Sequence, residues 1–251
     1  AKNGGQVPES WLENLRTLGT VYFGFENGVG FDPLHGPVET APLAHTSTGG
    51  VRINTRCEST VPGLYAAGAV AGGVYGHARP EGYTSMITLV FGRRAGLYAA
   101  ESAKDIDTVT IDGSSVQNSI QRVSKICKYP DTYSHAVTKK RIQTIMKKYG
   151  WVIKDETGLK QGLRELTDIE TAQSKSGTAE SQPQTDELIA AIEVPNLLLC
   201  SQLMLSGAIE RRESRGAFFR DDYPDSNNKD WLKNIIYQQI DGKLTLRTEP
   251  I

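Results

Sequence analysis

Apolar positions along the chain fall into blocks with different spacings. Trp11, Leu12, Leu15 and Leu18 share one helical face after Pro8, which predicts a short amphipathic helix near the start. From Val21 to Pro42 the periodicity stops, and Gly24, Gly28, Gly30 and Gly36 with Pro33 and Pro37 predict an irregular or partly β connection. Alternation returns at Val51-Arg52-Ile53-Asn54. After a polar stretch, Gly63-Leu64-Tyr65-Ala66-Ala67-Gly68 reads as a buried strand ending at glycine, so the two together predict a β-hairpin beneath a core. Thr84 to Ala103 is mostly apolar at Met86, Leu89, Val90, Ala95, Leu97 and Ala99; it predicts a long, largely buried helix with Thr84 or Ser85 as its N-cap.

Beyond a short Asp/Thr-rich segment the chain turns helical and more charged. Ile120, Val123 and Cys127 mark one face, Ile142, Ile145, Met146 and Tyr149 a second that closes at Gly150, and Leu159, Leu163, Leu166 and Ile169 a third. Residues 171–187 are polar and predict a loop. Leu188 to Glu210 is again apolar and helical, with Pro195 expected to kink or divide it. From Ile235 to Ile251 two short strands are expected around Asp241-Gly242, a good type I′ turn pair. The pattern is that of an α+β chain: a β-hairpin and long helix, then an antiparallel helical bundle with a short terminal hairpin.

Composition narrows the class without naming a chemistry. At about 150 residues per domain, the 251 residues allow one large domain or two modest ones. With 38% hydrophobic and 23% charged residues, the balance is that of a globular protein. The net charge of −1, with no run of about five like charges, gives no reason to expect a nucleic-acid partner. No apolar run approaches the roughly 18 residues of a membrane span, so none is expected. Cys57, Cys127 and Cys200 are odd in number and far apart, which fits neither a disulfide framework nor a metal knuckle, and a reducing compartment is expected.

Candidate chemistry concentrates between Ala41 and Ala100. Pro42-Leu43-Ala44-His45-Thr46-Ser47-Thr48-Gly49-Gly50 is followed by Val61-Pro62-Gly63-Leu64-Tyr65-Ala66-Ala67-Gly68, by Gly72-Gly73-Val74-Tyr75-Gly76-His77-Ala78-Arg79, and by Phe91-Gly92-Arg93-Arg94-Ala95-Gly96. Paired glycines after a strand let backbone approach a flat or phosphorylated ligand, and the helix from Thr84 offers its positive end to negative charge. His45 and Arg79 add groups suited to holding carboxylates. On the residues alone, glycine pairs next to strands most often serve turns. A metal site from His35, Glu39, His45 and His77 has irregular spacing, and no metal is expected.

These motifs, in this order, resemble the fumarate reductase and succinate dehydrogenase flavoprotein family, which includes L-aspartate oxidase. Arg211-Arg212-Glu213-Ser214-Arg215-Gly216-Ala217-Phe218-Phe219-Arg220-Asp221-Asp222-Tyr223-Pro224 resembles the signature near the end of that family's helical domain. The resemblance covers about residues 37–232. It implies FAD as cofactor on a Rossmann-like domain and hydride transfer between flavin and a small dicarboxylate of the fumarate or succinate type. His45 matches the histidine that binds one substrate carboxylate, and Arg79 the arginine that clamps the other. Gly49, Gly50, Gly68, Gly76, Gly82, Thr84 and Ser85 are the implied cofactor contacts. Two departures stand out: Gly68-Ala69 replaces the usual Gly-Glu, and the loop Gly76-His77-Ala78-Arg79-Pro80-Glu81-Gly82-Tyr83-Thr84 keeps the arginine among different neighbours, with His77 and Tyr83 expected to reshape the pocket.

The resemblance also implies an organisation. Residues 1–40 would be the tail of a capping domain, 41–105 the last part of a Rossmann-like FAD-binding domain, and 113–251 the helical domain. No Gly-x-Gly-x-x-Gly turn with a following acidic residue is present, and the family's proton-donating arginine belongs to a cap preceding this stretch. The expectation is therefore a fragment of a longer flavoprotein, inactive alone. The implied partner is an iron–sulfur or other electron-transfer protein, with a cytoplasmic location, free or beside a membrane complex. The competing reading is a non-catalytic helical module that docks such an electron-transfer partner. For the Arg211–Pro224 stretch, a structural ion-pair role stands beside a partner-binding one.

Overall fold

A computed structural model of the chain describes residues 48–76, 82–106, 112–126, 134–174, 185–241 and 243–251. All fall within the compact unit Thr48–Ile251. The expected opening helix and the irregular 21–42 connection lie outside the described residues.

The first part is small and built on backbone proximity. Strand β1 (Val51–Arg52) pairs in parallel with β2 (Ala71–Gly72), Val51 opposite Ala71 and Arg52 opposite Gly72. A tight antiparallel connection does lie between them, but its arms are shorter than the alternation suggested. Glu58 bridges Tyr65, the Ser59 N–H donates to the Leu64 carbonyl at 2.7 Å and the Ala66 N–H to the Cys57 carbonyl at 3.0 Å. Residues 63–68 do not continue as a strand, because Gly63 and Gly68 turn the backbone into the left-handed region and a 3-10 turn follows at Gly68–Val70.

Helix α1 (Tyr83–Lys104) follows the predicted helix closely. It is not largely buried, however. Ile87 and Ala95 are covered, while Leu89 is 73% exposed and Met86, Val90 and Leu97 are exposed as well. The helix is apolar on two faces. One packs on the 57–68 connection, where the Tyr65 hydroxyl meets Ser102 Oγ at 2.7 Å and Arg56 pairs with Glu101; among the described residues nothing covers the other.

The second part is the expected bundle. Helix α2 (Gly113–Ile126) starts on Asp112, whose carboxylate accepts from Ser114 and Ser115; those bonds lower its pKa to about 2. Helices α3 (His135–Tyr149), α4 (Glu156–Ser174) and α5 (Thr185–Glu210) pack on one another. Ile142 and Ile145, Leu159, Leu166 and Ile169, and Val194, Leu198 and Leu205 make the common core, as two of the three periodic faces and the apolar run 188–210 predict. The start of α5 meets the start of α3, where Glu187 accepts from Ser134 Oγ at 2.5 Å and from the His135 N–H at 2.9 Å. Gly162, early in α4, sits against Tyr149 and Leu205 at the far ends of α3 and α5. The three helices therefore alternate in direction. The stripe on α2 is less buried than expected, with Val116 and Ile120 exposed; Cys127 lies outside the described residues.

Three expectations change here. The 171–187 segment is helical at both ends, since α4 runs to Ser174 and α5 begins at Thr185; residues 175–184 lie outside the described ones. Pro195 does not divide α5, which is one helix of 26 residues. An interior proline costs about 3 kcal/mol, and burial of Ala190, Ala191, Val194 and Leu198 around it outweighs that cost. Among the described residues α5 is also long and apolar enough, by length and composition, to cross a membrane. Its packing against α3 and α4 is that of a core helix.

After α5 come β4 (Phe219–Arg220), which pairs in parallel with β3 (Ile153–Lys154) from the link between α3 and α4, then the short α6 (Asn228–Trp231), and a hairpin of β5 (Lys233–Ile240) with β6 (Lys243–Pro250). The hairpin turns at the predicted place, Asp241 taking φ 49°. It is held to α5 by Tyr237, whose hydroxyl donates to the Leu203 carbonyl at 2.8 Å and lies 3.0 Å from Ser206 Oγ. It also meets β1 through Arg52 and Glu249 at 2.9 Å.

Candidate flavin-facing site and the family of the chain

The candidate site residues divide between described and undescribed stretches. His45 and Arg79 lie outside the described residues, as do His35, Glu39 and His77 of the metal alternative. Among the described residues no three His, Cys, Asp or Glu side chains cluster as a metal site would need. Gly49, Gly50, Gly68, Gly76, Gly82, Thr84 and Ser85 are described, and they do not all have the same reason to be where they are.

Gly50 serves the protein's own packing. A Cβ there would lie 2.0 Å from the Val70 carbonyl oxygen, an impossible contact with backbone, so the glycine is what lets the 48–50 segment lie against 70–72. Gly49 beside it faces open space. Gly68 is buried and ends the connection at the 3-10 turn, while Gly76 opens the loop that leads to α1.

The entry to α1 has a different character. Its N-cap is Gly82, in the left-handed conformation at φ 76°, two or three residues before the expected Thr84 or Ser85. Gly82 has no side chain to accept from the first-turn N–H groups, and that turn carries no acidic residue. The positive end of a 22-residue helix is thus left without an acceptor of its own. Thr84, in that turn, has a covered hydroxyl with no hydrogen-bond partner among the described residues. Ser85 is exposed. A covered hydroxyl and first-turn N–H groups without a side-chain acceptor among the described residues fit an acceptor-rich, negatively polarised ligand. The residues therefore fit a flavin, whose pyrimidine edge carries such acceptors.

The buried hydroxyl of Tyr75 was not picked out in the sequence. It is covered and without a partner among the described residues, between Gly73 and Gly76. No spacing rule would have flagged it, since only the fold shows which tyrosines bury their hydroxyls.

The Arg211–Pro224 stretch is resolved into two buried ionic knots. Glu213, fully buried, accepts from Arg211 at 2.7 Å, from Arg215 at 2.9 Å through both oxygens, and from the Asn227 N–H at 2.8 Å. Burial alone would raise its pKa, but these bonds outweigh it and hold the carboxyl below the usual range. Arg220, also fully buried, grips Asp222 with a two-pronged contact at 2.7 and 2.6 Å and donates to the carbonyls of Ala208 and Arg211 at the end of α5. Asp222 in turn accepts from the Glu156 N–H at the start of α4, at 2.9 Å. The segment therefore caps one end of α5 and the opposite end of α4, a structural role.

Comparison with known proteins places these two parts together. Residues 139–251 match the family described as fumarate reductase flavoprotein C-term, and residues 15–85 match the FAD binding domain. The chain belongs to the fumarate reductase and succinate dehydrogenase flavoprotein family. An uncharacterized FAD-dependent oxidoreductase of Methanocaldococcus jannaschii is 32% identical over 86% of this chain and 38% of its own length. A component polypeptide of the fumarate reductase (CoM/CoB) of Methanothermobacter marburgensis is 29% identical over 83% of this chain and 38% of its own. The fold is that of the flavoprotein chain FrdA in a mutant E. coli quinol fumarate reductase, with a TM-score of 0.82 over 98% of this chain and 43% of that one, at 20% identity. Mycobacterium smegmatis Sdh1 in complex with UQ1 superposes with a TM-score of 0.79 at 25% identity, over 95% of this chain and 41% of that one. The chain thus spans about two fifths of the length of these curated relatives. FAD is the cofactor that this flavoprotein membership brings with it.

Proposed function

We propose that this chain supplies the flavin-facing and substrate-clamping part of an FAD-dependent oxidoreductase acting on a small dicarboxylate of the fumarate or succinate type. The observation that carries this reading is the entry to α1: a helix terminus without its own acceptor, left-handed Gly82, and the covered, partnerless Thr84 hydroxyl, inside the stretch that matches an FAD-binding domain. When bound, FAD supplies the site that gives or takes the hydride. The chain's own residues do the rest. The α1 terminus stabilises negative charge on the ligand it faces. His45 and Arg79 each hold one carboxylate of the substrate, which fixes its orientation. Gly49, Gly68, Gly76 and Gly82 keep side chains out of the space the cofactor needs; Gly50 acts only by allowing the backbone to pack.

The open face of α1 belongs to the same reading. Met86, Leu89, Val90 and Leu97 form an apolar stripe on a helix whose other face is already packed. A dinucleotide-binding segment with its own Gly-x-Gly-x-x-Gly turn, absent from this sequence, is the occupant that would complete the flavin fold over it. Several relatives are named as flavoprotein subunits. Those names support a chain that works with further subunits; the proposed partner is an iron–sulfur or other electron-transfer protein, and the proposed location is cytoplasmic, beside such a complex.

The complete flavoprotein containing this chain should bind FAD stoichiometrically, giving a flavin absorbance spectrum that survives gel filtration. Residues 1–251 alone should bind it weakly or not at all. A complete protein that stays colourless when refolded or purified with excess FAD would overturn the assignment.

A further inference from the structure

We infer that the Tyr75 hydroxyl is an additional cofactor contact that donates a hydrogen bond to an acceptor atom of FAD. The inference rests on the FAD reading above but concerns a residue to which neither the motif resemblance nor the comparisons assign a role. Tyr75 is only 6% exposed, and its hydroxyl is covered with no partner among the described residues. Three part-buried phenols of this chain are paired: Tyr65 with Ser102 at 2.7 Å, Tyr149 with Glu165 at 2.9 Å, and Tyr237 with the Leu203 carbonyl at 2.8 Å. An unpaired buried hydroxyl loses its hydrogen bonds to water and gains nothing in return. A phenylalanine would fill the same space without that cost, so the protein's own packing does not explain the hydroxyl.

Its position in the chain indicates what does. Tyr75 sits between left-handed Gly73 and Gly76, seven residues before Gly82, the N-cap of α1. The stretch 15–85 that matches the FAD-binding domain takes in Tyr75 and Thr84. Among the described residues of 75–84, the covered hydroxyls of Tyr75 and Thr84 lack partners and the α1 terminus lacks a side-chain acceptor. All three are hydrogen-bond donors in want of acceptors, and FAD is rich in acceptors on its ring carbonyls, ring nitrogens and phosphates. Tyr75 would then contribute to holding the cofactor rather than to the chemistry on the substrate.

The test compares wild type and Tyr75→Phe in the complete flavoprotein, measuring FAD affinity by fluorescence titration and the melting temperature of the FAD-free protein. Loss of one hydrogen bond of this kind should weaken FAD about tenfold. The FAD-free variant should melt at the wild-type temperature or above it, because an unpaired buried hydroxyl has been removed. Equal FAD affinity in the two proteins would overturn the role of Tyr75 and leave the FAD reading standing. A drop in melting temperature of the FAD-free variant would show that the hydroxyl serves the fold, and overturns it too. Failure of wild type itself to bind FAD would overturn the FAD reading, and with it this inference.

Discussion

Arg79→Ala in the complete flavoprotein should lower kcat/KM for a four-carbon dicarboxylate by several orders of magnitude while leaving the flavin bound. A guanidinium presents two parallel N–H donors to one carboxylate, so it both binds the substrate and fixes its angle to the flavin. Loss of orientation as well as binding is why the effect exceeds that of a single hydrogen bond. Arg79→Lys should recover little, because an ammonium is a point charge without the fork. His45→Ala should cost less, chiefly in orientation. Steady-state kinetics beside a flavin absorbance spectrum separate these outcomes from loss of cofactor. Turnover unchanged in Arg79→Ala would remove that residue from the site.

The second large effect concerns the fold. Arg220→Met should destabilise the protein by about 3–5 kcal/mol, the cost of breaking a buried pair from one side. The guanidinium leaves behind Asp222 and the carbonyls at the end of α5. Its neighbour Arg212 is exposed, and Arg212→Ala should change stability by no more than about 0.5 kcal/mol. Urea unfolding of the two variants reads the contrast directly, and equal losses would show that the knot is not what joins α4 to α5. The same network sets an acid limit. Arg220 chiefly, against the opposing effect of burial, holds Asp222 below the usual carboxylate range, and Glu213 is also lowered. Groups lowered in the folded state contribute stability above their unfolded pKa values of about 4 and lose it as pH falls through the folded ones. Stability should therefore decline on acidification below about pH 4, and less steeply in Arg220→Met.

What could be read from the sequence was the part governed by local periodicity. Ile142, Ile145, Met146 and Tyr149, or Leu159, Leu166 and Ile169, repeat at helical spacing because one face of each helix enters a common core. The terminal hairpin was legible for a similarly local reason, the turn chemistry of Asp241-Gly242. Pairings between distant residues were not. Val51–Arg52 sits in an alternating stretch, but its parallel partner is two residues long and twenty residues away, so no alternation announces Ala71–Gly72. The continuity of α5 through Pro195 depends on burial contributed by α3 and α4, and periodicity within α5 does not report it. The exposure of Leu89 and Met86 was hidden because an apolar helix reads the same whether or not its second face is covered.

The candidate site was legible unevenly. Periodicity and composition pointed to glycine-rich turns and a helix terminus but could not distinguish Gly50, which the Val70 backbone requires, from Gly49, which faces open space. Roles for His45 and Arg79 came from motif resemblance alone, and both lie outside the described residues. The Tyr75 hydroxyl and the Arg220 knot needed the fold, because burial is what makes one unpaired and the other energetically large.

The central claim is that this chain is part of a flavin site that exchanges hydride with a small dicarboxylate. Anaerobic spectroscopy of the complete flavoprotein tests it most directly: its flavin is reduced chemically, excess reductant is removed, and fumarate is added, with succinate and L-aspartate tried on the oxidised form. The account predicts that the oxidised flavin absorbance returns with fumarate, or bleaches with one of the other two. A bound flavin whose spectrum is unmoved by all three compounds would contradict it.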